Sequence, residues 1–246
     1  MRLTPEIHLV ASGSGGFDLT DPYDCNVYLL VSRGEAAIVD AGIGSAVDSL
    51  LARAAEAGCR EQSVRYVLLT HAHPDHAGGA AELAARLPRA RLLASPEVAR
   101  WVAAGDEQAM SLEQGRRAGF YPPDYRFRAC PEIEPLDDGE RLRVGHVELE
   151  AMATPGHAAG HLAFLAGGAA EACFGGDLVF YGGQISLENN WDCSLRDYAE
   201  SVRRLSARPF QTFLPGHHAF SVARGQRHVQ AAAERFEHGF VPRSVV

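Results

Sequence analysis

At 246 residues and 46% hydrophobic content, the chain is long enough to bury a sizeable core, and no linker-like tract divides it, so one domain over 1–246 is expected. Its formal net charge is −8 and all 23 basic residues are arginines. The acidic balance weighs against a phosphate-backbone footprint and hence a nucleic-acid partner, and the missing lysine excludes Schiff-base chemistry and lysine-dependent phosphate loops.

In chain order, apolar runs rich in β-branched residues at 25–32 and 36–40 read as strands, followed by a helix over 46–57 and a strand over 64–70. A helix over 80–87 and a strand over 91–94 complete the first half. A second strand group follows at 141–144, 147–153, 161–166 and 172–174, then helices over 195–205 and 224–237 flanking a short strand at 212–214. Two strand groups with helices outside them are compatible with several α/β folds. No segment reaches the roughly 18 uninterrupted apolar residues of a membrane span, and the opening residues lack a signal peptide's apolar stretch. A cytoplasmic protein with no membrane partner is therefore expected. Five scattered cysteines, odd in number and never in a CxxC pair, argue against a disulfide framework and against a cysteine zinc site.

The strand at 64–70 runs into Thr70-His71-Ala72-His73-Pro74-Asp75-His76-Ala77-Gly78-Gly79. Imidazole and carboxylate suit zinc, iron or manganese, and neither a core nor a surface face has reason to concentrate them so tightly. His71 and His73 point to one side if the chain is extended there, while Asp75 and His76 fall at the turn into a helix and can face a second ion. Three later segments again set a histidine or aspartate in a glycine-containing turn beside an apolar run: Thr154-Pro155-Gly156-His157, Gly175-Gly176-Asp177-Leu178 and Pro215-Gly216-His217.

Together with Val39-Asp40-Ala41-Gly42, the order Asp, HxHxDH, His, Asp, His resembles the five-motif signature of the metallo-β-lactamase fold superfamily, over nearly the whole stretch from Cys25 to His217. The resemblance implies a four-layered αββα sandwich. It also implies that His71, His73 and His157 hold one metal, that Asp75, His76 and His217 hold a second, and that Asp177 bridges them. Asp40 matches the family's aspartate that orients the site without ligating. Two divalent ions, zinc first and Fe2+ or Mn2+ otherwise, could share a water whose pKa falls to about 7, giving a bridging hydroxide as nucleophile. Asp75 would then both ligate and orient that nucleophile.

Within the superfamily, Asp177 stands where true β-lactamases lack an aspartate, and His73 stands where flavin-linked diiron oxidoreductases carry a glutamate. The chain most resembles the glyoxalase II-like group of thioester, ester and lactone hydrolases, which implies a small acyl compound as substrate. The basic residues that bind glutathione in glyoxalase II are missing after Gly176-Asp177, so recognition of that kind is not expected. Lactonases of this fold often place a tyrosine three residues after the bridging aspartate, where this chain has Phe180 and then Tyr181. A mononuclear iron persulfide dioxygenase, using His71, His157 and Asp177, is a rival reading, and a non-catalytic metal-bound ligand sensor is another.

Among the remaining histidines, His161 reads as a hydrogen-bonding support and not a ligand. His218 would point away from His217 if the backbone is extended. The aromatic insertion at 120–128 reads first as a packed surface loop and otherwise as a pocket wall or lid, in which Tyr121 and Tyr125 would pack an apolar chain while Arg126 and Arg128 pair with a carboxylate; Tyr181 is a further candidate. Homo-oligomerisation is left open.

Overall fold

The computed structural model describes residues 1–246. One sheet has six strands in sequential order: β1 (Ile7–Ala11), β2 (Val27–Ser32), β3 (Glu35–Val39), β4 (Val64–Leu68), β5 (Arg91–Ala94) and β6 (Ile133–Pro135). The other runs β11-β10-β9-β8-β7, built from β7 (Arg141–Val144), β8 (Val147–Ala153), β9 (Leu162–Ala166), β10 (Ala172–Gly176) and β11 (Thr212–Pro215). Helices α1 (Val47–Glu56), α2 (Pro74–Ala77), α3 (Ala80–Arg86), α4 (Pro96–Ala104) and α5 (Leu112–Ala118) belong to the first half, and α6 (Leu195–Ser206) and α7 (Gln226–Glu237) to the second.

Strand periodicity assigns the side chains to layers. In β2, Val27 and Leu29 enter the core shared with the first group of helices, while Tyr28 and Leu30 enter the core between the sheets. In β9, Phe164 faces the inter-sheet core and Ala163 and Leu165 face the one that includes Tyr198 and Val202 of α6 and Val229 of α7. Three apolar cores thus separate four layers, the αββα sandwich that the resemblance implied. Because both faces of these strands are covered, their sequences run continuously apolar.

Four elements were not legible as periodic runs. β1 pairs antiparallel with β2 and β6 pairs parallel with β5 as sheet edges. The short strand β6, of three residues, holds its place through its neighbour. Helix α4 carries ordinary terminal signals: the Ser95 hydroxyl accepts from Val98 N, Pro96 opens the helix, and Gly105 closes it in the left-handed region. Helix α5 lies within the insertion that separates β5 from β6. No helix is long and apolar enough to cross a membrane, and all five cysteines are free, four of them buried.

Candidate metal centre

Strands β3, β4, β10 and β11 end at the same edge of the sandwich, and the segments leaving them carry the polar motifs. β3 delivers Asp40, β4 delivers the segment from Thr70 to His76, β10 delivers Asp177, and β11 delivers His217. His157 comes from the turn joining β8 to β9.

Two groups of donor atoms meet there. Nδ1 of His73 and Nε2 of His157 stand 3.0 Å apart, and His71, His73 and His157 offer nitrogens all within 4.8 Å of one another. In the second group, His217 Nε2 lies 3.3 Å from His76 Nε2 and 2.9 Å from Asp75 Oδ2. Asp177 lies between them: its Oδ1 is 3.4 Å from His76 Nε2, and its Oδ2 is 3.5 Å from His217 Nε2 and 3.8 Å from His157 Nε2. Donors held about 2.1 Å from one tetrahedral zinc sit about 3.4 Å from each other, so these separations suit one ion per group.

Hydrogen bonding within the protein does not account for the cluster. His71 Nε2, the ring nitrogen opposite the one that faces Thr70, and Asp177 Oδ1 are buried without a partner, at a cost of about 1–3 kcal/mol each if nothing else satisfies them. Burial, with the neighbouring His76, His73 and His157, pushes His71 well below its ordinary pKa, which keeps the neutral imidazole that a metal requires. Burial works to raise Asp177, but the positive charge of His217 and His76 draws it well below the usual carboxylate range. Buried carboxylates facing imidazoles whose lone pairs converge form a donor set suited to divalent cations.

Hydrogen bonds behind the cluster aim these groups. Asp40, at φ +65°, accepts from Thr70 N and faces His76 Nδ1 at 2.9 Å, which turns His76 Nε2 inward. His161 supports Asp177, as anticipated: its Nε2 accepts from Asp177 N at 3.1 Å, so the ring proton sits on Nδ1 and faces the Thr154 hydroxyl at 2.9 Å. Burial and the nearby His157 push His161 down to about 3, keeping it neutral in that role. Two glycines allow the backbone to come this close. A Cβ on Gly176, itself at φ +49°, would overlap His161 Nε2, and one on Gly216 would overlap Asp177 Oδ1.

The substrate-side expectations need correction. Tyr121 reaches the cluster, its hydroxyl donating to Asp75 Oδ1 at 2.7 Å. Tyr125 does not: its hydroxyl donates to the Ile43 carbonyl, and the ring packs against the helical core. Arg128 turns outward to pair with Glu82, and Arg126 bonds the Tyr125 carbonyl on the surface. Beyond residue 121 the chain leads away from the cluster, so neither arginine lines the cavities over it. Tyr181 packs its ring against His228 and takes a hydrogen bond from Arg227 instead. His218 has φ +60°, so the extended backbone assumed for it does not exist, and its residue joins His217 in lining a cavity.

Two groups had no sequence signal. Glu188 lines both cavities over the cluster, with Oε1 3.9 Å from His157 Nδ1. Tyr198 of α6 donates to the Ser186 carbonyl, tying that helix to the segment leaving Asp177.

The profile of the family described as Metallo-beta-lactamase superfamily matches residues 20–217. The chain belongs to this superfamily. It is 30% identical over 195 residues to a hydroxyacylglutathione hydrolase of Xanthomonas euvesicatoria pv. vesicatoria, an alignment covering 79% of this chain and 60% of that protein. It is 28% identical over 235 residues to an atrochrysone carboxyl ACP thioesterase of Aspergillus fumigatus, covering 95% and 62%. The chain thus spans about three fifths of the length of these relatives. Among solved structures, a metallo-beta-lactamase family protein of Thermus thermophilus superposes with a TM-score of 0.72 at 25% identity, covering 96% of this chain and 81% of that one. A metallo-beta-lactamase of Cronobacter sakazakii reaches 0.73 at 24%, covering 97% and 93%; at that identity it speaks for the shared superfamily fold.

Proposed function

We propose that this superfamily member is a metal-dependent hydrolase of small acyl compounds, with thioesters foremost. The observation that carries the reading is the pair of donor groups, His71, His73 and His157 on one side and Asp75, His76 and His217 on the other, meeting at Asp177 beneath a cavity. Two of its relatives, a hydroxyacylglutathione hydrolase and an atrochrysone carboxyl ACP thioesterase, bear names that describe thioester cleavage.

Divalent ions in the two groups would supply hydroxide near neutral pH and polarise the scissile carbonyl. The protein's own contribution is placement. Asp40 fixes the tautomer of His76, His161 holds the Asp177 backbone, and Tyr121 ties one oxygen of Asp75 while the other faces His217. In the net reaction the acyl carbon gains the oxygen of water, the C–S bond breaks, and a proton leaves with the thiol.

A mononuclear iron dioxygenase would use only His71, His157 and Asp177 and would leave Asp75, His76 and His217 converged without a task. Elemental analysis of protein purified without added metal, followed by thioester, ester, lactone and glutathione persulfide assays, tests the reading. Two metal equivalents and hydrolysis are expected. One iron, with oxygen uptake on the persulfide and no hydrolysis, would overturn it.

A further inference from the structure

Two cavities open over the cluster. They share His73, Phe120, Tyr121, Glu188 and Val246, but their other walls differ. The smaller, about 320 Å3, contains Asp75, Asp177 and His217, and its wall includes the apolar Pro22, Tyr23, Phe180 and Val245 beside Asp24, Ser186 and His218. The larger, about 420 Å3, branches off at His73 and sets the polar Ser111, Gln114, Arg117, Asn189 and Asn190 beside Met110 and Leu187.

We propose that these cavities take the two arms of one thioester, the acyl arm in the smaller and an amide-bearing thiol arm in the larger, with Ser111, Gln114 and Arg117 as specificity-determining residues for the thiol arm. The assignment rests on the acyl-thioester reading above. Ser111 carries it furthest. The residue is 3% exposed, yet its hydroxyl has no hydrogen-bond partner, and a buried polar group left in that state points to a ligand that completes it. Arg117 spends its Nε on Glu113 and keeps a side chain 77% exposed. The Gln114, Asn189 and Asn190 amides add donors and acceptors along the same wall.

An amide chain presents alternating carbonyl acceptors and N–H donors, which such a wall can match. A simple alkyl thiol leaves the wall unmatched, and a lactone has no separate leaving arm to place there. In the smaller cavity Pro22, Tyr23, Phe180 and Val245 offer apolar contacts to an acyl chain. A carbonyl at the His73 junction lies where the arms diverge and where the donor cluster begins.

The shared chemistry of the thiol arm fits both pantetheine and glutathione, so the test carries both. Metal-loaded protein is assayed on hexanoyl thioesters of pantetheine, glutathione and ethanethiol, beside the double variant Gln114→Ala/Arg117→Ala, whose positions lie on the surface helix α5. At least one amide-bearing thioester is expected to exceed the ethanethiol ester in kcat/KM by about tenfold, and the double variant is expected to erase that preference. Equal kcat/KM in the parent, or a preference that survives the substitutions, would overturn the assignment.

Calorimetry with S-methylpantetheine and S-methylglutathione, whose blocked sulfur is a weak metal ligand, reads the arm without turnover. Binding that the double variant loses supports the assignment even if no thioester is cleaved, in which case the hydrolase reading alone falls. Absence of binding by either compound to the parent overturns it, whatever esters are hydrolysed.

Discussion

Asp177 and Asp40 both sit in turns that leave strands, but they face different partners. Asp177 offers its two oxygens to both groups of imidazoles, whereas Asp40 is occupied with Thr70 and with the far side of His76. Asp177→Ala should therefore lower metal content and activity together, while Asp40→Ala should retain at least one metal equivalent and lose turnover; metal analysis beside kcat separates the two. Tyr121 poses a subtler case, since its hydroxyl holds Asp75 from the cavity side. Tyr121→Phe is expected to keep its metal and lower kcat by about tenfold, the scale of one hydrogen bond to a charged group. An unchanged kcat in metal-replete Tyr121→Phe would remove this positioning role.

At the scale of elements, the site depends on how helices and loops are fastened behind the strands. α6 is fixed to the site-bearing loops by Tyr198 and by Ser201, whose hydroxyl donates to the Pro155 carbonyl. At the far side of the same layer, Glu150 of β8 takes two hydrogen bonds from Arg208, just beyond α6. These bonds hold Glu150 below its ordinary pKa, over a smaller opposing effect of burial. A carboxylate depressed in the folded state contributes stability above its unfolded pKa, and that contribution disappears as pH falls through the folded value. Glu150→Gln should thus cost up to about 1 kcal/mol at neutral pH, given the pair's partial exposure. Denaturant titrations should show the difference between variant and parent closing in acid; a gap that persists at low pH would mean the pair acts through packing.

Across the whole molecule, the cluster joins both sheets. The first sheet and its loops supply Asp40, His71, His73, Asp75 and His76, and the second supplies His157, Asp177 and His217. Bound metal should therefore fasten one half of the sandwich to the other. Chelation is expected to lower Tm by several degrees and restoration of zinc to recover it, because a ligand bound only by the folded state stabilises that state. Differential scanning calorimetry across a chelator and zinc series checks this, and a Tm indifferent to both would argue against a cross-sheet metal.

The residues that converge at this edge were legible from sequence because their signal is local: each sits in a short turn beside an apolar run, with glycine where the backbone must pass close, as at Gly176 and Gly216. The strands that are covered on both faces were legible for the same reason, as continuous apolar segments. The edges β1 and β6 and the helices α4 and α5 were not, since pairing with a neighbour or packing within an insertion fixes them more than their own periodicity does. What surrounds the cluster was settled only by the tertiary structure. Arg126 and Arg128 stand near Tyr121 in sequence yet turn to the surface, while Arg117 and Glu188 reach cavities over the cluster from segments that carry no motif. Motif residues are constrained by the donor chemistry they present, which residue type and spacing record. Cavity walls are constrained by which segments meet across the sandwich, and that is decided by the packing of three cores.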